Sequence, residues 1–394
     1  MGVHVTVAEP ADHVHVGIAG AGFSGAVIAR QLAENGHRAT VFDTRGHIGG
    51  NCFTERHETG VLVHRYGPHI FHTDNERVWE YINRHGEMLR YDHKVKTTVG
   101  NRVFSMPINL HTINQVFDAT MSPDEAEAFV RQDQADTTII DPQNFEEQAL
   151  AMVGPRLYSL FFEGYTRKQW GCDPTELPAS ILKRLPLRFN YDDSYFNHPH
   201  QAIPAQGYTP IIASLLDHPS ITMQLETALD PASAAEFDHI IWTGPLDAWF
   251  DYCFGRLGYR TLDFEEFVAD GDVQGTPVMN YGDAGVAHTR ITEHKHFARH
   301  EQHEQSVCFR EFSRAHTPDD IPYYPVRLIN DKALLERYLD AAEHEVGVSF
   351  VGRLGTYRYL DMDVTIHEAL EASDILLGCF SSASAPPSFF VDPR

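Results

Sequence analysis

A glycine-rich turn near the N-terminus constrains the fold of this chain more than any other feature. The apolar run at residues 15–19 is typical of a buried strand, and a turn with glycines at Gly20, Gly22 and Gly25 follows it directly. Apolar side chains at helical spacing come next, and then a second strand that ends at Asp43. In such a unit the first glycine permits a tight turn, the second admits a pyrophosphate, and the third lets helix and strand pack closely. The pattern therefore predicts a dinucleotide-binding βαβ unit.

The same segment carries candidate contacts for both ends of the cofactor. The start of the helix offers unpaired N–H groups to phosphates, and Asp43 is placed to accept hydrogen bonds from ribose hydroxyls. The Gly-Gly-Asn sequence at 49–51 resembles an extension of FAD-dependent oxidases and related two-domain flavoproteins, which favours FAD over NAD. The cofactor-binding residues predicted here are Gly20, Gly22, Phe23, Ser24, Gly25, Asp43, Arg45, Gly49, Gly50 and Asn51.

Composition limits the partners of the chain. It has 31 Lys and Arg residues against 55 Asp and Glu residues, a formal net charge of -24. Such a surface repels nucleic acids and anionic lipids, so we expect neither as a partner, although a few convergent arginines can still bind an anion. The five scattered cysteines lack a CxxC pair and indicate reduced thiols in a cytoplasmic protein. No apolar run is long enough to span a membrane.

Other segments carry no predicted site. The first fourteen residues lack the basic and apolar regions of a secretory signal, and we expect a short disordered leader there. Four histidines crowd between residues 294 and 303, but nothing in their spacing fixes a metal geometry, so no metal site is expected. Neither a catalytic triad nor a pair of carboxylates stands out.

The order of the predicted elements indicates one nucleotide-binding domain interrupted by insertions. Helical periodicity prevails from about residue 107 to residue 171, whereas strand-like pieces lie before and after it. We therefore predict an α/β fold: a Rossmann-like FAD-binding domain built from discontinuous segments, an inserted helical domain and an antiparallel β-sheet domain. The FAD-binding domain is predicted at residues 14–87, 202–246 and 326–394, the helical domain at 108–175, and the β-sheet domain at 88–107, 176–201 and 247–325.

Seven segments, in the same order along the chain, closely resemble UDP-galactopyranose mutases of the bacterial type. The resemblance extends from about residue 15 to about residue 380, which is nearly the whole chain. The segments are YGPHIFHTD at 66–74, GYTRKQWG at 164–171, LPASILKRLP at 177–186, RFNYDD at 188–193, TRITEHK at 289–295, IPYYP at 321–325 and GRLGTYRYLDMD at 352–363.

The resemblance implies a reversible isomerisation of UDP-galactopyranose and UDP-galactofuranose that supplies galactofuranose for surface glycans. It further implies that the reduced form of FAD is the active one. In this mechanism flavin N5 attacks the anomeric carbon, UDP leaves, and a covalent flavin N5–galactose adduct forms. We also expect an external reductant such as NAD(P)H, and assembly as a homo-oligomer.

The resemblance implies three catalytic residues. Arg184 and Arg290 match the family's pyrophosphate clamp, where a planar guanidinium donates hydrogen bonds in pairs and stays charged. Arg184 lies in a stretch that matches the family's mobile loop, at about residues 176–188, whose closure excludes water from the reaction. His69 matches a histidine near the isoalloxazine ring, where it would tune the flavin and support its reduced state.

Further residues are implied for substrate and flavin. On the uridine side an aromatic face offers uracil a stacking surface, and tyrosine hydroxyls can donate to phosphate oxygens without adding charge. A helix start after Asp361 would stabilise the reduced flavin anion. The implied substrate-binding residues are Phe161, Tyr165, Thr166, Gln169, Trp170, Arg184, Tyr195, Asn280, Arg290, Tyr324 and Tyr359. The implied flavin contacts are His69, Arg353, Tyr359, Leu360, Asp361 and Met362.

Two positions depart from some relatives, and two alternative functions stay open. Cys52 and His93 stand where some relatives carry serine and a smaller amide, which puts details of flavin and substrate contact in doubt. One alternative is an FAD-dependent oxidoreductase of the amine-oxidase type, which shares the same cofactor domain; it predicts flavin reduction by substrate. The other is a non-catalytic nucleotide-sugar sensor, which predicts UDP binding without turnover.

Overall fold

The structure is a computed structural model that describes residues 13–184, 186–328 and 332–394, with the backbone only at residues 183 and 184. The predicted disordered leader therefore lies outside the described residues except at its end. There the prediction is wrong for Val14, whose side chain is 5% exposed and whose carbonyl accepts a hydrogen bond from Arg38 N. A buried side chain and a paired carbonyl join Val14 to the first sheet.

A five-stranded parallel sheet forms the centre of the nucleotide-binding part. In chain order its strands are arranged 3-2-1-4-5, the order of doubly wound folds, which bind ligands at the carboxyl ends where the strand order reverses. Because helices cover both faces, the central strands carry nearly continuous buried residues. From one edge to the other the strands are Ile221–Gln224, Arg38–Phe42, His15–Ala19, His239–Trp242 and Val348–Phe350.

Helices pack on both faces of this sheet. The sheet therefore has a separate hydrophobic core on each face. Successive side chains of a strand point to opposite faces, so Ile241 packs in the first core, whereas Ile240 and Trp242 pack in the second. The first core includes the helices Phe23–Glu34, Glu76–His85, Tyr208–Leu216 and Met362–Ser381, and the second includes Leu246–Trp249 and Lys332–Glu343. The short helix Gly352–Gly355 follows the last strand. The predicted α/β fold with a Rossmann-like unit is confirmed.

A second, seven-stranded sheet is antiparallel except where Val278–Tyr281 pairs with Val95–Val99. Its register places Glu311 opposite Arg290, and Arg290 opposite Asn280. Because directly paired residues point to the same side of a sheet, these three polar side chains leave one face in a row. In spatial order the strands are Tyr324–Pro325, Tyr259–Asp270, Gln305–Ala315, Arg290–Glu293, Val278–Tyr281, Val95–Val99 and Arg102–Met106.

Two smaller antiparallel sheets complete the described strands. One pairs Thr54–Arg56 with Leu62–His64. The other has the order Phe71–Thr73, His200–Pro204, Met88–Arg90. This second small sheet joins strands from either side of the boundaries predicted near residues 88 and 202, and the domain boundaries remain a prediction.

The segment predicted to be helical is helical, and local capping explains where its helices begin. Asn109 accepts a hydrogen bond from Thr112 N, and Ser122 forms a capping box with Glu125. The α-helices are Leu110–Phe117, Pro123–Ala128, Phe145–Tyr158 and Gly164–Trp170, with π-helical turns at Phe129–Gln134 and Ser159–Glu163. The 3-10 helices of the described residues are Gly50–Cys52, Pro174–Glu176, Ala179–Arg184, Pro231–Glu236 and His294–His296. No helix in the described part of the chain combines the length and apolar character that a membrane crossing needs.

Candidate active site

The glycine turn leaves the central strand and enters the helix Phe23–Glu34. A Cβ atom at Gly25 would lie 2.0 Å from the carbonyl oxygen of Gly20, so the third glycine is required for the turn and the helix to pack. At Gly22 a Cβ atom would meet nothing nearer than Gly50 Cα, at 3.9 Å. Packing within the protein therefore does not require glycine at this position, whereas a ligand that approaches the backbone does.

The start of this helix offers hydrogen-bond donors to a ligand. Gly22 is the N-cap, and no side chain among the described residues caps the first turn. The first turn contains no acidic residue, so the positive end of the helix dipole is not neutralised locally. Phe23 and Ser24 are buried, at 4% and 8% exposed. Backbone N–H groups in this arrangement suit the pyrophosphate of a dinucleotide.

Asp43 is held in place by two backbone donors. Its Oδ2 accepts from Ala21 N and its Oδ1 from Arg45 N, each across 2.9 Å. Each oxygen keeps a second lone pair that can accept from a ribose hydroxyl. Arg45 donates from Nη2 to Asn51 Oδ1 across 2.8 Å, whereas its Nη1 is buried without a partner in the described residues. An unpaired cationic donor beside this turn suits an anionic cofactor.

Two further segments converge on the glycine turn. Gly49 N donates to Ala21 O across 2.9 Å, and positive φ angles at Gly49 and Gly50 bend this segment against the turn. From the other side, a Cβ atom at Gly352 would lie 2.6 Å from Ser24 Oγ. Both segments therefore approach the same turn, one at Gly49 and the other at Gly352.

The last predicted flavin segment is ordered by Arg353. Its Nη2 donates to Leu360 O across 2.7 Å, and its guanidinium carbon lies 5.0 Å from the centre of the Tyr359 ring. Asp361 is the N-cap of the helix Met362–Ser381, with no side-chain capping bond in the described residues. The structure thus places a helix start where the sequence predicts one, with its first-turn amides available.

Arg290 is the central charge of the second part of the site. Its Nε donates to Glu311 Oε2 across 2.7 Å, and the Glu311 side chain is 1% exposed. Asn280 lies beside Arg290 on the next strand, in the same row. The bond to Glu311 uses Nε, so the two Nη atoms are the part of the guanidinium that can reach a ligand.

Tyrosines surround this arginine and respond to its charge. Burial alone would lower the pKa of Arg290, but the Glu311 carboxylate and the Tyr165 and Tyr324 hydroxyls raise it well above its ordinary value. Burial raises the pKa of Tyr165, Tyr324 and Tyr195, and the positive charge of Arg290 opposes that rise. All three tyrosines therefore remain neutral hydrogen-bond donors at neutral pH around a permanent cation.

Tyr324 joins this cluster to the flavin segment. Its ring stacks on that of Tyr359, with the ring centres 5.8 Å apart and 22° between the planes. Trp170 lies on another side, 6.4 Å between ring centres, and Arg353 lies 5.9 Å from the Tyr324 ring centre. Trp170, Tyr324, Tyr359 and Arg353 thus form one contiguous wall, which includes residues predicted for uridine, for phosphate and for flavin.

The helix Gly164–Trp170 is anchored by a lysine cage. Lys168 Nζ lies within hydrogen-bond distance, 2.5 to 3.2 Å, of four backbone carbonyl oxygens at the end of the strand Val278–Tyr281 and in the loop after it. Burial lowers the pKa of Lys168 to about 8. These acceptors, Tyr281, Asp283, Val286 and His288, fix the helix that carries the predicted uridine-side residues.

Three other residues predicted for that wall lie within or next to the same helix. Phe161 packs edge to face on Phe104, 5.1 Å between ring centres, and Thr166 is 4% exposed. Gln169 accepts at its carbonyl from Ser313 Oγ across 2.6 Å, while its side-chain Oε1 is buried without a partner in the described residues. The unpaired amide oxygen of Gln169 suits a donor on a bound ligand.

Two histidines face this region in neutral form. His69 Nδ1 lies 2.8 Å from Gly67 O, so the neutral ring carries its proton on Nδ1 and leaves Nε2 as an acceptor. Burial lowers the pKa of His69 to about 4. His93 is 4% exposed beside Tyr195, and burial, with Arg290, lowers its pKa to about 3. Its Nδ1 is buried without a partner in the described residues.

The other predicted clamp residue is described only by its backbone. Arg184 ends the 3-10 helix Ala179–Arg184, and its side chain lies outside the described part of the structure, as does the whole of residue 185. Leu182 in the same helix is fully buried against the helical core. The position of the Arg184 guanidinium therefore remains a prediction, as does motion of the loop.

Sequence reasoning missed Glu311 and Lys168. A signal for Glu311 was present, because Val307, Phe309 and Glu311 alternate along one strand face, and a charge in such an apolar series indicates a buried partner. Lys168 had no comparable signal, since its acceptors are backbone carbonyls more than a hundred residues away.

The parallel sheet with its glycine turn defines a Rossmann-like fold of the nucleotide-binding class, and the second sheet carries a partly buried arginine among tyrosines. A family model described as an NAD(P)-binding Rossmann-like domain matches residues 18–85, and the model of the UDP-galactopyranose mutase family matches residues 160–359.

Two relatives align with almost the whole chain. A Klebsiella pneumoniae protein described as "Probable UDP-galactopyranose mutase" is 56% identical over 384 residues, covering 97% of this chain and 100% of its own. A dTDP-fucopyranose mutase of Escherichia coli is 50% identical over 368 residues, covering 91% and 97%. The chain belongs to the UDP-galactopyranose mutase family.

The fold agrees with this assignment. A crystal structure of reduced UDP-galactopyranose mutase superposes with a TM-score of 0.71 at 16% identity, covering 95% of this chain and 98% of its own. The predicted family, the enzyme class and the Rossmann-like fold are confirmed, while the roles of individual site residues remain predictions.

Proposed function

We propose that this protein is an FAD-dependent isomerase that interconverts UDP-galactopyranose and UDP-galactofuranose and so supplies galactofuranose for surface glycans. The observation that carries the proposal is Arg290, held by buried Glu311 and surrounded by Tyr165, Tyr195 and Tyr324. A fixed cation among neutral hydroxyl donors suits a pyrophosphate attached to a sugar.

The cofactor would be FAD in its reduced form. The glycine turn, Asp43 and the unpaired Nη1 of Arg45 suit the dinucleotide end, and the segment from Arg353 to Met362 would hold the flavin end. When bound, reduced FAD supplies the nucleophile for the anomeric carbon of the sugar. The helix start after Asp361 would favour negative charge on the nearby ring.

The arginines would stabilise the leaving UDP. Negative charge gathers on the pyrophosphate as its bond to the sugar breaks, and Arg290 is already oriented by Glu311 to meet it. Donors that are preorganised in this way contribute roughly 3 to 4 kcal/mol each to transition-state stabilisation. Arg184 would add a second guanidinium when its loop closes on substrate.

The remaining residues would orient the substrate. Tyr165, Thr166 and Trp170, with Phe161 and Gln169, would form the uridine side, while Tyr195, Asn280, Tyr324 and Tyr359 would line the phosphates and the sugar. His69 presents Nε2 as an acceptor, which would bind a hydroxyl or N–H group at the junction of sugar and flavin. The neutral state of its ring avoids repulsion from Arg290 and Arg353, whose charges also lower its pKa.

A redox-controlled conversion assay tests the proposal. Purified holoprotein is reduced with dithionite and incubated with UDP-galactofuranose, and UDP-galactopyranose is followed by chromatography. We expect conversion by the reduced protein and little by the oxidised protein. No conversion by reduced protein that retains its flavin would sink the proposal.

A parallel incubation with dTDP-fucopyranose addresses the second relative, which is a mutase for that sugar and 50% identical to this chain. We expect the galactose substrate to be preferred, because the match to the Klebsiella pneumoniae protein is higher in identity and coverage. Faster conversion of dTDP-fucopyranose would support the proposed type of reaction but contradict the proposed substrate.

The same preparation separates the alternatives from the isomerase. An amine-oxidase-like oxidoreductase would bleach the oxidised flavin upon addition of amines, and a sensor would bind UDP without turnover. Use of a reductant such as NAD(P)H, homo-oligomeric assembly and a cytoplasmic location remain predictions from the sequence.

A further inference from the structure

Three side chains with metal-binding groups meet beside Phe196, which directly follows the predicted substrate contact Tyr195. His72 lies on the strand Phe71–Thr73, His198 lies just before the strand His200–Pro204, and Asp363 lies in the first turn of the helix Met362–Ser381. Two of the three elements are paired strands of the small sheet, and the third is the helix that begins at the predicted flavin contacts. The cluster therefore links a sheet to a helix.

The spacing of the three groups is compatible with one small cation. The Nδ1 atoms of His72 and His198 are 2.8 Å apart, and one ligand atom from each of the three residues lies within 4.8 Å of the other two. Tetrahedral zinc, with bonds of about 2.0 Å to nitrogen and oxygen, spaces its ligand atoms by about 3.3 Å. The 2.8 Å separation is slightly shorter than that value and no separation exceeds 4.8 Å, so modest side-chain adjustments would bring all three within coordination distance.

Burial gives a second, independent reason for a ligand at this position. His72 is 8% exposed and Asp363 is 7% exposed. The Oδ1 atom of Asp363 is buried without a hydrogen-bond partner in the described residues. A carboxylate oxygen taken out of water without a donor costs free energy, and a bound cation offsets that cost.

The orientation of His72 and the chemistry of the three groups suit metal binding. The His72 ring stacks on Phe196, with ring centres 3.7 Å apart and 25° between the planes, which limits its rotation. Two imidazole nitrogens and one carboxylate oxygen form a donor set that favours zinc over magnesium or calcium.

We propose that His72, His198 and Asp363 bind Zn²⁺, which ties the start of the helix Met362–Ser381 to the small antiparallel sheet. Three protein ligands leave a fourth position for water, and zinc adds no redox chemistry beside a flavin. The zinc proposal depends on the geometry and burial of these three residues, so it can be tested independently of the proposed isomerase function.

In a second cluster of the described residues, the carboxylate already has hydrogen-bond donors. Asp272, Glu293 and His296 also place ligand atoms within 4.8 Å of one another. There, however, Glu293 accepts from Val273 N at 3.0 Å and from Gln274 N at 2.9 Å, so its carboxylate is already paired. This cluster has no need of an ion and supplies a matched control.

The test measures zinc binding to the untagged, flavin-loaded protein after removal of metals with a chelator. Zn²⁺ is titrated by calorimetry, and bound zinc is counted by mass spectrometry after dialysis. We expect one tight site per chain. In His198→Gln and Asp363→Asn we expect affinity to fall by at least about 100-fold, since even indirect partners of a metal ligand are worth 10–100-fold. In His296→Gln we expect no change.

Thermal unfolding of the same proteins supplies a second readout. Zinc should raise the Tm of the wild type and of His296→Gln, and leave that of His198→Gln unchanged, with flavin retention reporting that each variant is folded. Because His198 is only half-buried, His198→Gln is the variant most able to fold. The proposal is overturned if wild type and folded His198→Gln bind zinc equally, or if His296→Gln alone loses it. Equal zinc binding by the wild type and His198→Gln would mean that His72 and His198 form only a hydrogen-bonded pair.

Discussion

Arg290 Nε donates a hydrogen bond to Glu311 Oε2 across 2.7 Å, and the carboxylate that accepts it is 1% exposed. The two residues are direct cross-strand partners, so the backbone register itself sets their distance. A buried carboxylate next to a guanidinium both orients it and fixes its charge. This pair organises the proposed substrate site.

Arg290→Ala should lower kcat/KM by about 100- to 1000-fold, the usual loss for one preorganised donor to a developing negative charge. Flavin content should be unchanged, because the lost side chain belongs to the second sheet and not to the glycine turn. The measurement is conversion of UDP-galactofuranose by the reduced variant, with absorbance at the flavin band as the control. Arg290→Lys should recover only part of the loss, because an ammonium cannot donate in a planar fork. Near wild-type activity in the alanine variant would remove Arg290 from the clamp.

Glu311→Ala should lower the free energy of unfolding by about 3 kcal/mol, because it leaves the partly buried Arg290 cation without its partner. Glu311→Gln should cost less, since the amide oxygen still accepts from Nε. Urea unfolding of both variants, monitored by circular dichroism, gives the comparison. Equal stability of the alanine variant and the wild type would show that the pair does not support the fold.

Lys168→Ala should lower stability by about 2 kcal/mol, because four backbone carbonyl oxygens lose a charged donor. The helix that carries Tyr165 and Trp170 should loosen, so KM should rise more than kcat falls. Methylammonium should rescue the variant in part by filling the vacated cage. The matched control is Arg167→Ala. The ion pair of Arg167 with Asp173 is exposed, so its loss should change stability and KM little. Identical KM values in Lys168→Ala and the control would contradict the positioning role.

Stability should fall in mild acid because two buried histidines stay neutral in the folded protein. His239 is 2% exposed and His294 is 0% exposed, and burial lowers the pKa of each to about 4. The unfolded chain protonates these rings near pH 6.5, whereas the folded protein does not, so stability is full above pH 6.5 and falls as the pH drops toward 4. At pH 5.5 each ring should cost about 1.4 kcal/mol.

Urea unfolding of His239→Gln between pH 7 and pH 5 checks this slope. The variant should lose less stability than the wild type over that interval, because one titrating ring is gone. His344→Gln is the matched control, since its ring is exposed, and it should follow the wild type. Parallel curves for all three proteins would contradict the prediction.

The glycine turn separates folding from cofactor binding. Gly22→Val should fold, because a Cβ atom at this position meets no protein atom nearer than Gly50 Cα, at 3.9 Å. It should lose FAD, because the new side chain occupies the space that the pyrophosphate needs. Gly25→Val should fail to fold stably, because its Cβ would lie 2.0 Å from Gly20 O. The ratio of flavin to protein absorbance and the Tm of each variant give the answer. Retention of FAD by Gly22→Val would contradict the assignment of the turn.

Local features of the chain were predictable because they depend on neighbouring residues. The turn from Gly20 to Gly25, the helix after it and the strand before Asp43 follow from periodicity and glycine placement, and all three lie where expected. The family segments predicted which residues would converge, and Arg290, Asn280 and Tyr324 do lie together. The fate of Val14 was misjudged because its burial depends on a contact with Arg38, on another strand.

The sequence alone therefore determined the nucleotide-binding unit, the class of fold and the set of candidate site residues. Only the tertiary structure decided their partners: Glu311 for Arg290, four distant carbonyls for Lys168, and the meeting of His72, His198 and Asp363. The physical reason is the distance along the chain over which each feature is decided. Periodicity sets which face of a strand or helix is buried, but which side chains meet across that buried space depends on strand register and packing between segments far apart in the chain.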